Sequence, residues 1–408
     1  MKATSNLITI STSSRLVSFW WRGVLTVILG FFACGAQADW WNAVWRYRVP
    51  VEVNAGSFAR GNKPVNVALN FTQLLGTVGG GTMNDVSLRV IEVSASGAVL
   101  DAAVPFQFDR DAAYNAASNA RGTLVFLLGG NTAANATRYF HVYFDTAGGF
   151  SPAAVAAQVA ITDNVSHEGQ ASYQIATVAG TYYYHKAGAG FASLDDVDGN
   201  DWIGYHPGLG PAGEFRGIPN MGAVGHPGDL TSSSTIVSQG PLKTTIQSQS
   251  KDGNWRFMWE IYPNYATMTL QQAGGSYWLL YEGTPGGTFE PASDSWTRSS
   301  GETALCSESW VGDVAGPEWV YFRDGTRDRY LFLAHHEDDA LQDQYWPLQG
   351  NMTVFGFGRQ YPVGDRYLTA VPAHLTIGLG DGTATAPAAI NSAFRDLNVL
   401  TGTVTLKP

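Results

Sequence analysis

The residues with the greatest capacity for chemistry form one short cluster, His335-His336-Glu337-Asp338-Asp339. The cluster stands out because only 14% of the chain is charged and only 8 residues are histidine. Imidazoles exchange protons near neutral pH, and neighbouring carboxylates can orient them or join them in binding a metal ion. The cluster therefore predicts either an acid–base site or a metal site.

The segment from Arg329 to Ala334 predicts a strand that runs into this cluster, because aromatic and branched residues alternate along it. Neighbouring residues of a strand point to opposite faces, so His335 and His336 can face one cleft only where a bulge or turn intervenes. At most one of them is expected to meet substrate. The structural alternative is a solvated acidic loop with one histidine hydrogen-bonded in the protein wall.

Two aromatic residues, Tyr345 and Trp346, follow the cluster closely. If the cluster is catalytic, they would form a floor for a sugar ring, whose apolar C–H face stacks on aromatic side chains. The other functional interpretation is a transition-metal site that combines one of the two histidines with Asp338 or Asp343.

A second group of candidates lies between residues 185 and 229. Side chains suited to proton transfer or anion binding recur there, namely His185, Lys186, Tyr205, His206, Glu214, Arg216 and His226. Glu214 and Arg216 would share one face of an extended segment, where an ion pair would fasten the loop from Tyr205 to Asp229. Alternatively, this Gly- and Pro-rich loop overhangs a cleft, and Arg216 holds a substrate carboxylate with its planar fork.

Carboxylates offer a different chemistry, because hydrolysis of a glycosidic bond uses a pair of them. The candidates are Glu260, Glu282, Glu290, Glu308, Glu318, Glu337 and Asp338. Glu260 and Glu282 lie inside aromatic-rich strands, where an unpaired carboxylate is costly to bury. Each of these two is therefore expected to be either partnered or functional.

The acidic run from Asp195 to Asp201 has the oxygen density of a calcium loop, which makes Asp196, Asp198 and Asp201 candidate metal ligands. The run lacks the terminal glutamate of an EF-hand, and an ordinary Asp-Gly hairpin turn explains most of it. Calcium is thus a candidate cofactor, while the sequence requires none.

The first 38 residues predict a secretory signal peptide. Basic residues precede an apolar run over 23–33, and Ala36-Gln37-Ala38 has the small-x-small pattern that signal peptidase recognises. The mature chain would begin at Asp39, in the periplasm or outside the cell, and no membrane association is expected after cleavage.

Cysteine usage agrees with a core-stabilised exported protein. Cys34 would leave with the signal peptide, and the bulky Phe31 and Phe32 before it fit a lipid-attachment signal poorly. Cys306 then remains alone, so the mature chain has no intrachain disulfide and depends on its apolar core for stability.

The composition of the chain limits which classes of partner the protein is expected to bind. The formal net charge is -10 and no basic run occurs, which argues against nucleic acid or an anionic membrane surface as partner. The chain has 13 Trp, 18 Tyr and 20 Phe beside 47 Gly, which favours an all-β protein with tight turns. Abundant Trp and Tyr also suit a polysaccharide or oligosaccharide partner.

Two β-rich regions are expected within the mature chain. Short strands separated by turn residues predict a small β-sandwich over 39–147, followed by a linker of small residues over 148–160. The region 161–408 shows many closely spaced strands without a long helical period, which predicts a large antiparallel two-sheet domain.

Several motifs of the second region resemble the galactose-mutarotase-like supersandwich. Thr181–Lys186, Gly188–Leu194 and Asp198–Ile203 resemble its opening hairpins, and the segments from Gly240 to Gly283 are similar to the middle of its sheets. The chain looks like uncharacterised secreted proteins of polysaccharide-degrading bacteria over residues 40–380. Polysaccharide lyases and aldose epimerases use this fold, and none of their catalytic residues is matched position by position here.

The resemblance makes a polysaccharide lyase the leading hypothesis, acting by β-elimination on a uronate-containing glycan. This reaction needs a cation for the carboxylate, a base for the C5 proton and an acid for the leaving oxygen. These roles are assigned to Arg216, one histidine of the opening pair and Tyr345.

Supporting catalytic candidates are Glu214, His185, Lys186 and His206. Substrate-binding candidates are Trp346, Trp202, Trp310, Tyr205 and Glu282. A glycoside hydrolase with paired carboxylates and a non-catalytic glycan-binding protein are the alternatives.

Overall fold

The first strand of the molecule has one buried face. The structure, a computed structural model, describes residues 40–209, 215–360 and 364–408. In the first strand Val49, Val51 and Val53 point into the core while the residues between them are more exposed. The predicted signal peptide and Glu214 lie outside the described residues.

The N-terminal strands form two facing sheets. Their bounds are β1 (Tyr47–Asn54), β2 (Arg60–Asn70), β3 (Asn84–Val93), β4 (Val99–Asp101), β5 (Phe106–Arg110), β6 (Arg121–Thr132) and β7 (Thr137–Asp145), with helix α1 (Phe71–Gly76) after β2. One sheet contains β1, β7, β3 and β4 in that order, and the other contains β2, β6 and β5. Apolar side chains from both sheets share one core, as the predicted sandwich requires.

The larger part of the chain supplies the remaining long sheets. Its strands are β8 (Val159–His167), β9 (Gln170–Thr177), β10 (Gly180–His185), β11 (Gly190–Asp196), β12 (Ser232–Gln239), β13 (Thr244–Ser250), β14 (Arg256–Ile261), β15 (Ala266–Gln272), β16 (Leu279–Gly283), β17 (Ser295–Arg298), β18 (Thr303–Leu305), β19 (Trp310–Gly312), β20 (Trp319–Arg323), β21 (Arg329–His335), β22 (Asp343–Leu348), β23 (Met352–Phe357), β24 (Arg359–Gln360), β25 (Asp365–Arg366) and β26 (Ala373–Asp381). Helix α2 (Ala386–Phe394) follows them.

These strands build a large two-layer sandwich. One layer is a nine-stranded antiparallel sheet in the order β12-β13-β14-β15-β26-β21-β20-β17-β18. The opposite layer consists of two four-stranded sheets, β11-β10-β9-β8 and β16-β23-β22-β19. Apolar residues from all three sheets pack into one core, of which Trp259, Phe322 and Phe355 are fully buried members. The other face of the nine-stranded sheet packs on β6 and α2.

The last two strands of the chain pair with its first strand. Strands β27 (Asn398–Thr401) and β28 (Thr405–Leu406) both pair antiparallel with β1. The sequence assigned 161–408 to the second region, but the tail completes the N-terminal sheet instead. Short polar strands carry no local signal of which sheet they will join, because pairing depends on the free edge of β1.

Strands account for 50% of the residues and helices for 6%, which confirms the all-β prediction. Within the described ranges, no helix is long and apolar enough to cross a membrane.

Candidate functional site

The structure divides the opening histidine pair between the two faces of β21, as strand alternation predicts. His335 is 3% exposed and lies inside the large sandwich, where its ring packs against Phe357. Its Nδ1 lies 2.6 Å from a carboxylate oxygen of Glu318, whose charge raises the histidine pKa against the opposing effect of burial. His336 lies on the other face, where its Nε2 is 2.8 Å from the hydroxyl of Thr376.

Glu318, His335 and Asp339 have ligand atoms within 4.8 Å of one another and are the one group of described residues with the spacing of a metal site. Glu318 already accepts hydrogen bonds from the backbone N–H of Asp339 and from the ring of His335. The predicted metal partners Asp338 and Asp343 are not part of this group. Hydrogen bonding alone accounts for the arrangement.

Two residues with assigned roles are held in the core. Tyr345 is fully buried and donates its hydroxyl to the carbonyl of Cys306 at 2.6 Å, and burial raises its pKa. Trp202 is also fully buried, with its indole N–H directed at Asp196 at 3.2 Å. Both side chains belong to the apolar core of the large sandwich. Tyr345 is therefore a core residue rather than the predicted acid, and Trp202 is a core residue rather than the predicted stacking surface. The aromatic pattern gave no indication of which face each ring would take.

The other two tryptophans are half-buried. Trp310 packs on Trp296 and Phe355, with the guanidinium of Arg298 stacked 4.6 Å above its ring, so one of its faces is already covered. Trp346 lies on the face of its sheet that points away from the core, and it remains a stacking candidate.

Three basic candidates from the 185–206 region have structural partners. His185 is 1% exposed, stands 3.3 Å from His167, and has its pKa lowered to about 3 by burial. Lys186 pairs with Asp163 at 2.6 Å, and His206 lies at the surface 3.1 Å from Glu168. These contacts explain the residues as wall and surface groups.

The acidic run forms a hairpin end clamped by an arginine. Asp196 accepts hydrogen bonds from the backbone and side chain of Asn200 and from the Nη1 of Arg329, at 2.9 to 3.0 Å. Asp198 lies 3.0 Å from the same guanidinium. Asp201 instead accepts from backbone N–H groups on its own hairpin. These donors occupy the carboxylate oxygens that a calcium ion would need, so the described geometry supports a hydrogen-bonded turn.

Replacing Arg329 by Ala is expected to lower the free energy of unfolding by about 3 kcal/mol, because the buried Asp196 would lose its cation. The pKa of Asp196 is lowered to about 2, so its contribution is present above the unfolded pKa and is lost as pH falls towards 2. Guanidinium unfolding at pH 7 and pH 3 measures both effects. A midpoint that rises with calcium and falls with EGTA would instead support the calcium interpretation.

The residues that do converge come from the loop at 215–229 and the strand β16. The backbone of Gly217 exchanges two hydrogen bonds with Glu282, at 2.9 and 3.0 Å. Further along, Leu280 N–H donates to Pro219. Arg216 donates its Nη1 to the carbonyl of Gly204 at 2.7 Å, which ties the start of the loop to the chain above β16. Ile218 forms a further antiparallel bridge with Phe191 of β11, so the loop runs beside the edge of β16 and links the two four-stranded sheets of this layer. The prediction that the loop overhangs a cleft stays a prediction.

Glu282 lies on β16, the edge strand of its sheet, next to the loop. Its neighbour Tyr281 points into the core, so strand alternation turns Glu282 to the opposite, outward face of the strand. The side chain is 6% exposed and accepts a hydrogen bond from Nδ2 of Asn220 at 2.8 Å. Burial raises the pKa of Glu282 to about 8, against smaller opposing effects of Asn220 and Arg359. Glu282 is therefore largely a neutral acid at pH 7.

Arg359 crosses the same face because Gly356 leaves room for it. A Cβ at Gly356 would lie 3.0 Å from Cδ of Arg359 and 2.1 Å from Leu280. The guanidinium of Arg359 lies 5.8 Å from the ring of Trp278, and that of Arg366 lies 4.9 Å from the same ring. Asn220 thus contacts Glu282 directly, Arg359 interacts with Glu282 electrostatically, and Arg359 and Arg366 both lie near the ring of Trp278. We call these five residues the Glu282 site.

Two further residues are connected to the Glu282 site, one through the sheet register and one through Gly217. Trp346 belongs to its row, because Glu282 pairs with Val354 and Val354 pairs with Trp346 in the sheet register. His226 precedes Pro227, whose ring packs against Gly217. Both ring nitrogens of His226 are buried, and Nδ1 lies 3.8 Å from a carboxylate oxygen of Asp229. Burial lowers the pKa of His226 against the opposing effects of Asp229 and the backbone of Pro227.

The sequence named Glu282, Arg216 and Trp346, but it did not identify Asn220, Arg359, Trp278 or Arg366. Trp278 lies four residues before Glu282, in an aromatic-rich segment that predicted a strand but no site. Gly356 of β23 lies three residues before Arg359. This glycine was the available signal that a side chain could cross the sheet there.

Comparison with known proteins adds little. No protein-family model matches the chain, and no curated protein matches it. A solved structure described as "Crystal Structure Analysis of HI1317" is similar with a TM-score of 0.37 and 12% identity, over 54% of this chain and 99% of that chain. This similarity is too weak to support an argument, so the resemblance to the galactose-mutarotase-like supersandwich stays a prediction.

Proposed function

We propose that the protein is a polysaccharide lyase that cleaves a uronate-containing glycan by β-elimination at the Glu282 site. The observation that carries the proposal is the buried Glu282, whose pKa is raised to about 8, beside Asn220 and Arg359. A carboxylic acid that stays protonated at neutral pH is suited to donate a proton, and perturbed carboxyls of this kind cluster at functional sites.

The roles follow from the chemistry of each group. Arg359 and the amide of Asn220 would hold the uronate carboxylate, which lowers the cost of negative charge that develops at C5. His226 would take the C5 proton, because burial lowers its pKa and keeps the ring neutral. The C4–O bond then breaks as the C4–C5 double bond forms, and Glu282 donates its proton to the leaving oxygen.

Two features favour elimination over hydrolysis. The pKa values of the acid and base are displaced in opposite directions, so both groups are in their active form near neutral pH. In addition, the described outward positions of β16, β22 and β23 carry only one carboxylate, that of Glu282. A glycosidase would need a second carboxylate facing it.

Incubation with a panel of uronate polymers tests the reaction class. The expected result is a rise in ultraviolet absorbance from the unsaturated product, with one new reducing end for each cleavage. New reducing ends without absorbance would assign hydrolysis and overturn the lyase proposal. Retention on a glycan column without any new ends would favour the non-catalytic binding protein.

A further inference from the structure

A second polar cleft lies on the far side of the large sandwich from the Glu282 site. It has a volume of about 670 Å³ and lies where β2 and the segment after α2 face the nine-stranded sheet. Its walls include Lys63, Asn66, Tyr262, Thr269 and His374. The sandwich core separates it from Glu282, since the two sites occupy outer faces of opposite layers.

A chain of carboxylates and imidazoles leads from the protein interior to this cleft. Glu318 holds Nδ1 of His335 at 2.6 Å, and Nε2 of His335 lies 3.4 Å from Glu337. Glu337 in turn lies 2.5 Å from Nδ1 of His374 and accepts the backbone N–H of the same residue at 2.8 Å. Because Nδ1 is engaged, Nε2 of the part-exposed His374 ring is the atom available to a ligand.

The charged groups of the cleft are largely compensated by one another. Glu260 pairs with Lys243 at 2.6 Å, and Glu337 pairs with His374. Lys63 donates to the backbone carbonyl of Ala393. Asp396, which also lines the cleft, interacts electrostatically with Lys63 and His374. Charges of both signs therefore lie close together around the cleft, which favours a ligand of low net charge.

The remaining lining is rich in neutral hydrogen-bonding groups next to aromatic rings. Thr267 and Thr269 present hydroxyls from β15, and the exposed Asn66 presents an amide whose nitrogen donates to the hydroxyl of Tyr262 at 2.7 Å. Hydroxyl, amide and imidazole groups of this kind match the hydroxyl groups at the edge of a sugar ring.

We propose that this cleft, here called the His374 cleft, is a second and separate binding site for a neutral hexose unit of a glycan. Nε2 of His374 provides the central hydrogen bond, and the relay of Glu318, His335 and Glu337 acts as the positioning device that fixes its ring. The site is independent of the elimination proposed at Glu282. It would allow the protein to hold a neutral stretch of glycan away from the cleavage centre.

Saturation-transfer NMR with glucose, galactose, mannose and their β-linked tetramers tests the proposal on the full chain. The wild-type protein and Glu282→Gln are both expected to transfer saturation to at least one of these sugars. His374→Ala is expected to reduce the transfer at least fivefold. Thr269→Trp, which fills the cleft without removing a relay group, is expected to do the same.

Three outcomes would overturn the second site. One is that no sugar of the panel receives saturation from the wild-type protein, and another is that the signal survives unchanged in both cleft variants. The third is that Glu282→Gln or Arg359→Ala removes the signal, which would place all binding at the Glu282 site. Thermal unfolding midpoints within a few degrees of wild type establish that the variants fold. Since the lyase assay follows absorbance on uronate polymers, its failure leaves this test unaffected.

Discussion

Replacing Glu282 by Gln is expected to lower turnover on a uronate glycan by about 10²-fold or more, because general acid catalysis contributes ~10²–10⁴. Gln keeps the shape of the side chain and can retain a hydrogen bond to Asn220, but it cannot donate a proton to the leaving oxygen. The loss should fall on kcat, with KM little changed. Initial rates of absorbance increase on the best polymer of the panel provide the measurement.

The pH dependence supplies an independent check on the same residue. The wild-type rate is expected to fall as pH rises through about 8, where Glu282 loses its proton. The native state should lose stability as pH rises from about 4.5, the ordinary pKa of this carboxyl, to about 8. A carboxyl whose folded pKa is raised contributes stability that is full below its unfolded pKa and is lost as pH rises through the folded value. Glu282→Gln should therefore lose less unfolding free energy than wild type between pH 6 and 9.

The matched control is Glu302→Gln, an exposed glutamate that pairs with Arg298. It should leave both the rate and its pH profile unchanged. Full activity of Glu282→Gln, or an alkaline limb that persists in that variant, would remove Glu282 from the role of acid.

Replacing Arg359 by Ala is expected to reduce kcat/KM on the uronate polymer by about 10²–10³-fold, the range seen when a preorganised partner of developing charge is removed. Arg359→Lys should recover only part of the loss, because an ammonium does not match a carboxylate bidentately. Arg359 is 7% exposed, so solvent cannot easily replace its guanidinium.

Binding measurements separate this role from a purely structural one. In the inactive Glu282→Gln background, calorimetry compares a uronate oligomer with its carboxyl-reduced counterpart. Loss of Arg359 should weaken binding of the acidic oligomer and leave the reduced one unaffected. Arg256→Ala, a change at an exposed arginine on β14, serves as the control. Equal weakening of both oligomers would show that Arg359 supports the sheet rather than the carboxylate.

Local patterns in the sequence were sufficient for the strands and for some orientations. Alternation from Arg329 to Ala334 predicted β21, and it predicted that His335 and His336 face opposite sides. The density of aromatic residues and glycine predicted the all-β class. These properties follow from the two-residue repeat of a strand and from the residue preferences of turns. Both depend only on a few neighbouring residues.

Tertiary structure alone decided which residues meet. Asn220 reaches Glu282 across 62 residues of sequence, and Arg359 crosses the sheet only because Gly356 leaves space. Tyr345 is not the predicted acid, because the register of β22 directs its ring into the core. The same physical reason applies throughout: a periodic pattern fixes two faces for each strand, but sheet order and loop packing determine which face becomes a site. The chemistry concentrated at His335–Asp339 was therefore visible in the sequence, while its division between a buried relay and the His374 cleft was not.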